Sequence, residues 1–198
     1  MRSERATVVA ALGSTQTLAW ASSYYLPAIL GAPIATGLGL APSVFFGIFS
    51  IALLLSAALG PAVGRFIDLR GGRGVMTASN LVLAIGLVLL SLSEGVIGLA
   101  VAWAVLALGI TMGLYDPAFA TLTRLYGNDA RSAITGISLI AGFASTLGWP
   151  ISAVLLHESG WRAACLIWAG LNILLAAPLN WLSIPRHSAP APRRACCS

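Results

Sequence analysis

Charge is what this sequence has least of. Of 198 residues only 17 are charged, none is a lysine, and the mean hydropathy is +0.91. About a quarter of the residues of a soluble domain are charged, so a soluble globular fold is excluded: a domain of this length has too little interior for a chain that is 58% hydrophobic. The bilayer has to be the solvent. With about 20 apolar residues per spanning helix, the length admits at most about six or seven spans.

The missing lysine makes the net charge of +5 and the pI of 9.7 entirely the work of arginine. Nucleic-acid binding needs a clustered basic face, whereas these arginines sit at the ends of apolar runs. Cysteine is scarce too. Cys165 lies inside an apolar run as a small hydrophobe, and Cys196 and Cys197 end the chain without metal-ligand partners at a useful spacing. No disulfide framework follows. The glycine stretches "GSTQT" (13–17) and "RGGRG" (70–74) lack the Lys-Ser/Thr of a phosphate loop. With no nucleophile–base or metal constellation either, neither enzymatic activity nor a cofactor is expected.

What is present is a series of long apolar segments, at about residues 8–30, 43–64, 75–93, 97–118, 132–155 and 162–183. Backbone in hydrocarbon must satisfy its own hydrogen bonds, so these read as helices. The first is a retained helix rather than a signal peptide, because Ser14, Thr15, Gln16 and Thr17 break any compact apolar core. The expected fold is all-α, a membrane bundle over residues 1–185 followed by a disordered, basic, proline-rich tail over 186–198. Placing the N-terminus in the cytoplasm puts ten of the eleven arginines inside and only Arg162 outside. Both termini are then cytoplasmic.

One stretch concentrates the little charge there is. "GRFIDLRGGRG" (64–74) packs Arg65, Asp68, Arg70 and Arg73 among glycines after the second segment. Shifting the chain by 89 positions lays Gly47 on Gly136, Ser56 on Ser145, Pro61 on Pro150, Gly71 on Gly160 and Arg73 on Arg162. Three spans per copy make the second copy upside down. Inverted repeats, here about 8–93 and 97–183, are a mark of secondary transporters.

Together the six segments, the repeat, the glycine stretch and the "GWR" at 160–162 resemble the amino-terminal half of a major facilitator superfamily transporter. The stretch at 64–74 is similar to that family's motif A, G-x-x-x-D-R-x-G-R-R, with Gly64, Asp68, Gly71 and Arg73 on its first, fifth, eighth and tenth positions. Leu69 and Gly72 depart from it. The resemblance implies that this loop latches the two halves of a transporter in one state of its cycle, with Arg124 or Arg131 as partners for Asp68. It also implies that the first and fourth spans line a substrate cavity. Gln16, Trp20, Ser23, Tyr24 and Pro27 share one helical face, as do Trp103, Ala107, Thr111 and Tyr115. From these, Gln16, Trp20, Tyr24, Thr111 and Tyr115 are the candidate cavity residues. The competing reading makes the aromatics interfacial anchors and the small residues helix-packing contacts. Asp116 is the one acid placed within a span and a candidate for proton coupling, or else a cap or an Arg124 partner. The family's drug-antiporter signatures are missing, with no arginine between residues 96 and 115 and only a loose echo in "GFASTLGWP" (142–150).

The implied activity is secondary transport of a small organic solute by alternating access in a bacterial inner membrane. The expected partners are that solute, the lipid bilayer and a second six-helix half, and no nucleic acid. A complete family member has about twelve spans, so three accounts stand: a truncated gene product, a half-transporter working as a homodimer, or a non-transporting interaction or regulatory subunit.

Overall fold

A computed structural model of the chain describes residues 2–185, and the tail expected over 186–198 lies outside them. Every regular element among the described residues is helical: α1 (Arg2–Ser22), α2 (Leu26–Gly37), α3 (Pro42–Arg70), α4 (Gly72–Ser91), α5 (Gly95–Gly113), α6 (Tyr115–Tyr126), α7 (Ala130–Ala141), α8 (Ala144–Leu171) and α9 (Ala177–Ser183). A 3₁₀ turn (Gly127–Asp129) joins α6 to α7, and a π-helical stretch (Asn172–Ala176) joins α8 to α9.

Four helical stretches are long and apolar enough to cross a membrane: Pro42–Arg70, Gly72–Ser91, Gly95–Tyr126 and Ala130–Ser183. The α1–α2 stretch is not among them, since the polar run 14–17 dilutes α1. The last stretch has 54 residues. Straight, it would be roughly 80 Å long against a hydrocarbon core of about 30 Å. It is not straight. Gly160 sits at φ 75°, ψ 169° inside α8, a region open essentially to glycine alone. The Trp168 indole N–H donates to Ser152 Oγ across it at 3.1 Å. Residues 16 apart on a continuous helix would be about 24 Å apart, so the chain reverses at Gly160.

Proline explains the other breaks. A proline has no N–H for the carbonyl four residues back. Pro117 therefore leaves the Gly113 carbonyl without a helical donor, and the chain breaks at Leu114 (φ −81°, ψ −156°) between α5 and α6. Pro27, in the first turn of α2, stands just after the break at residues 23–25. There the Ser22 hydroxyl accepts a bond from Asn172 Nδ2 at 2.9 Å, tying the first break to the π-helical stretch.

One pair of helices keeps the 89-residue offset. α2 and α6 both have 12 residues and start 89 positions apart. Gly71, at φ 86°, ψ 160°, has nearly the backbone of Gly160.

Packing is uneven. α4 lies against α5, α8 and α9, and eleven of its 20 residues are buried. α3 rests on α2, α5 and α6 and buries only Phe45, Ala52 and Ile67 of its 29 residues. One core cluster gathers Leu30, Phe45, Leu87, Trp103, Leu106 and Trp168. A smaller one gathers Val8, Leu12, Met76, Leu122, Ile137 and Ile184 at the end of the bundle that holds the Gly71 turn.

Candidate functional site

Two features draw together residues singled out in the sequence. The first is a hollow of about 370 Å³ between α1, α3, α5 and α6. Trp20, Tyr24, Thr111, Tyr115 and Asp116 line it, with Leu53, Ser56, Ala57, Gly60 and Gly64 of α3 opposite. Four of the five candidate cavity residues therefore share one concavity.

Its wall is aromatic. The rings of Trp20 and Tyr115 are 4.8 Å apart between centroids, those of Trp20 and Tyr24 5.1 Å, and Phe119 stacks on Tyr115 at 5.2 Å. The break at Leu114 puts Tyr115 and Asp116 at the start of a new helix, so both reach the hollow. Asp116 is exposed in the first turn of α6, where the helix dipole favours negative charge. Thr111 is buried. Its hydroxyl donates to the Ala107 carbonyl at 2.7 Å and lies 2.9 Å from Ser56 Oγ, pinning α5 to α3.

Gln16 does not join this wall. It is buried, and its side-chain amide donates to the Gly113 carbonyl at 2.5 Å, the acceptor that Pro117 leaves bare. It clasps α1 to the α5–α6 break. Trp103 is likewise core, packed edge-on against Phe45 and Phe49 at 5.9 and 4.7 Å. Ser23 Oγ donates to the Ala19 carbonyl at 2.5 Å, and Pro27 is buried. The α3 contribution escaped sequence reasoning, although Ser56, which matches Ser145 in the repeat, was the available signal.

The second feature is the motif-A stretch, where the structure corrects an expectation. Gly64 and Asp68 belong to α3, not to a loop, because nothing stops that helix before Gly71. The whole turn is Gly71, whose N–H donates to the Ile67 carbonyl at 2.7 Å. Gly72 explains one departure from the motif: a Cβ there would lie 1.7 Å from Thr121 Oγ1, so α4 meets α6 where only glycine fits. Arg124 reaches α3, but at its backbone. Its guanidinium donates to the main-chain carbonyls of Asp68 and, at 3.4 Å, of Ile67, while the Asp68 carboxylate stays exposed. The last carbonyls of a helix lack partners within it, and Arg124 supplies one. Arg131 is exposed at the start of α7. Arg73 lies over the Trp181 ring at 4.2 Å.

The other turn has its own arginine. Arg162 lies over Trp161 at 4.3 Å and donates to the carbonyls of Ser91 and Ser93 at the end of α4. His157 and Glu158 are exposed beside it, with Nδ1 3.0 Å from Oε1.

Residues 12–195 match the family profile of the Major Facilitator Superfamily, almost the whole chain. The chain belongs to the major facilitator superfamily. Members of the superfamily are membrane transporters, so the four apolar stretches are those of a multi-pass membrane protein. A curated relative from Thermoproteus tenax, described as an uncharacterized 38 kDa protein in the 23S RNA operon, is 34% identical over 164 residues, covering 81% of this chain. The superfamily chain described here spans 42% of that relative's length.

Proposed function

We propose that this chain forms one half of a secondary transporter that moves a small organic solute by alternating access, with the hollow as its share of the cavity. The observation that carries this is the convergence of Trp20, Tyr24, Thr111, Tyr115 and Asp116 on one concavity in a superfamily member. A pocket of a few hundred Å³ with apolar walls and a few polar groups is the usual makeup of a small-molecule site.

The rest of the arrangement extends this reading. The helices form six spans, residues 2–37, 42–70, 72–91, 95–126, 130–159 and 161–183, in two inverted repeats. The shared bounds of α2 and α6 and the matched backbones of Gly71 and Gly160 support the repeat. The end holding Arg65, Arg70, Arg73, Arg124 and Arg131 faces the cytoplasm of the inner membrane, as arginine-rich ends do. A second six-helix half, from a second copy or another polypeptide, completes the cavity. The bare outer length of α3 is consistent with such a partner. The Arg124 contact with α3 is the releasable part of the cycle.

Cysteine labelling tests the reading. With Cys165, Cys196 and Cys197 replaced by serine, single cysteines at Tyr24 and Tyr115 should react with a membrane-impermeant thiol reagent, and one at core Ala107 should not. If all three are inert, the hollow is sealed packing and the chain is no carrier.

A further inference from the structure

We propose that the hollow takes an organic cation, with the ammonium group of the substrate against the aromatic cluster of Trp20, Tyr24 and Tyr115 and paired with the Asp116 carboxylate. This rests on reading the hollow as a substrate cavity and adds the class of substrate. Among the described residues that line the hollow, Asp116 is the one charged group, and no arginine or histidine is present. An anionic substrate would meet a like charge and no counter-charge. A sugar-like substrate would need many free hydrogen-bonding groups, but the Thr111 and Ser56 hydroxyls already engage each other at 2.9 Å. What the wall offers is an aromatic cluster, with Trp20 4.8 Å from Tyr115 and 5.1 Å from Tyr24 between ring centroids, and one acid, Asp116, that is exposed. A cation over aromatic faces gains from the ring quadrupoles, and a carboxylate next to them adds a direct ion pair that excludes neutral competitors. The nearest arginine in sequence on α6, Arg124, is engaged at the end of α3 and does not neutralise Asp116.

Three solutes of one shape test the assignment: choline, its neutral isostere 3,3-dimethylbutan-1-ol and the anion 3,3-dimethylbutanoate. Equilibrium dialysis of labelled choline against the full chain in lipid nanodiscs should show saturable binding. The neutral isostere should compete at least ~10-fold more weakly, the fold expected for about 1.4 kcal/mol, and the anion not at all. Asp116→Asn should weaken choline binding at least ~10-fold with at most a small drop in melting temperature, since Asp116 is exposed, and Asp116→Glu should retain the order of the three solutes. Absence of choline binding, equal competition by the neutral isostere, or an unchanged Asp116→Asn overturns the proposal. Labelling of a cysteine at Tyr24 separates the two failures. If it reacts while choline does not bind, only the substrate class falls. If it is inert, the cavity falls with it.

Discussion

The turns at Gly71 and Gly160 are built alike and gripped differently. Each is a single glycine of nearly the same backbone, φ 86°, ψ 160° and φ 75°, ψ 169°, and near each an arginine donates to carbonyls at a helix end. At Gly160 the arginine follows within two residues, and it grips the end of α4, the most buried of the long helices. At Gly71 the arginine comes from a distant segment, α6, and grips the end of α3, which buries only three of its 29 residues. Two turns of like backbone thus lie beside arginines that hold different helices, α3 at one end of the bundle and α4 at the other. The difference lies in what the arginine holds, not in the turn.

The largest test of this contrast is at Gly72, which has no counterpart of its kind, because position 161 is a tryptophan. A leucine there would drive a side chain into Thr121, whose Oγ1 lies 1.7 Å from where a Cβ would stand. Overpacking of this kind costs about 1–3 kcal/mol and at times more. Gly72→Leu should abolish the yield of monodisperse protein, and Thr121→Gly in the same chain should recover part of it, read by size-exclusion chromatography. Next come the turn glycines themselves. Gly71→Ala and Gly160→Ala should each lose about 1–3 kcal/mol, by matching shifts in thermal melts, whereas Gly74→Ala in helical α4 should lose nothing. Unequal losses at 71 and 160 would break the equivalence of the two turns.

Smaller effects distinguish the grips. Arg162→Gln removes bonds to the carbonyls of the buried Ser91 and Ser93 and should cost about 1–2 kcal/mol. Arg124→Gln removes bonds at an exposed helix end and should cost about 0.5–1 kcal/mol, since water replaces what is lost. Melting of the two variants side by side checks the order.

Much of the architecture was legible because apolar length leaves few choices. The segment near 75–93 overlaps α4, which ends at Ser91, the segment near 97–118 falls within the α5–α6 stretch, and Gly71 and Gly160 have similar dihedral angles. The site was legible only in part. Helical periodicity put Gln16 on the face of Trp20 and Tyr24, but its fate depends on a carbonyl bared by Pro117 on another span, which no pattern within one helix reveals. Asp68 was expected to meet an arginine through its carboxylate. The arginine meets the Asp68 backbone carbonyl instead, in the last turn of the helix, where carbonyls lack helical donors. Ser56 was missed because only the first and fourth spans were expected to line a cavity, whereas middle turns of α3 form part of the wall.

The most direct test of the account is the rate at which a cysteine at Tyr115 reacts with an impermeant thiol reagent in inside-out vesicles, measured in otherwise native, Arg124→Gln and Arg162→Gln chains. If the Gly71 end is a releasable clasp over the hollow, Arg124→Gln changes that rate several-fold and Arg162→Gln leaves it where it was. If the two variants change the rate alike, or neither does, the two turns are equivalent staples and the clasp does not govern access to the hollow.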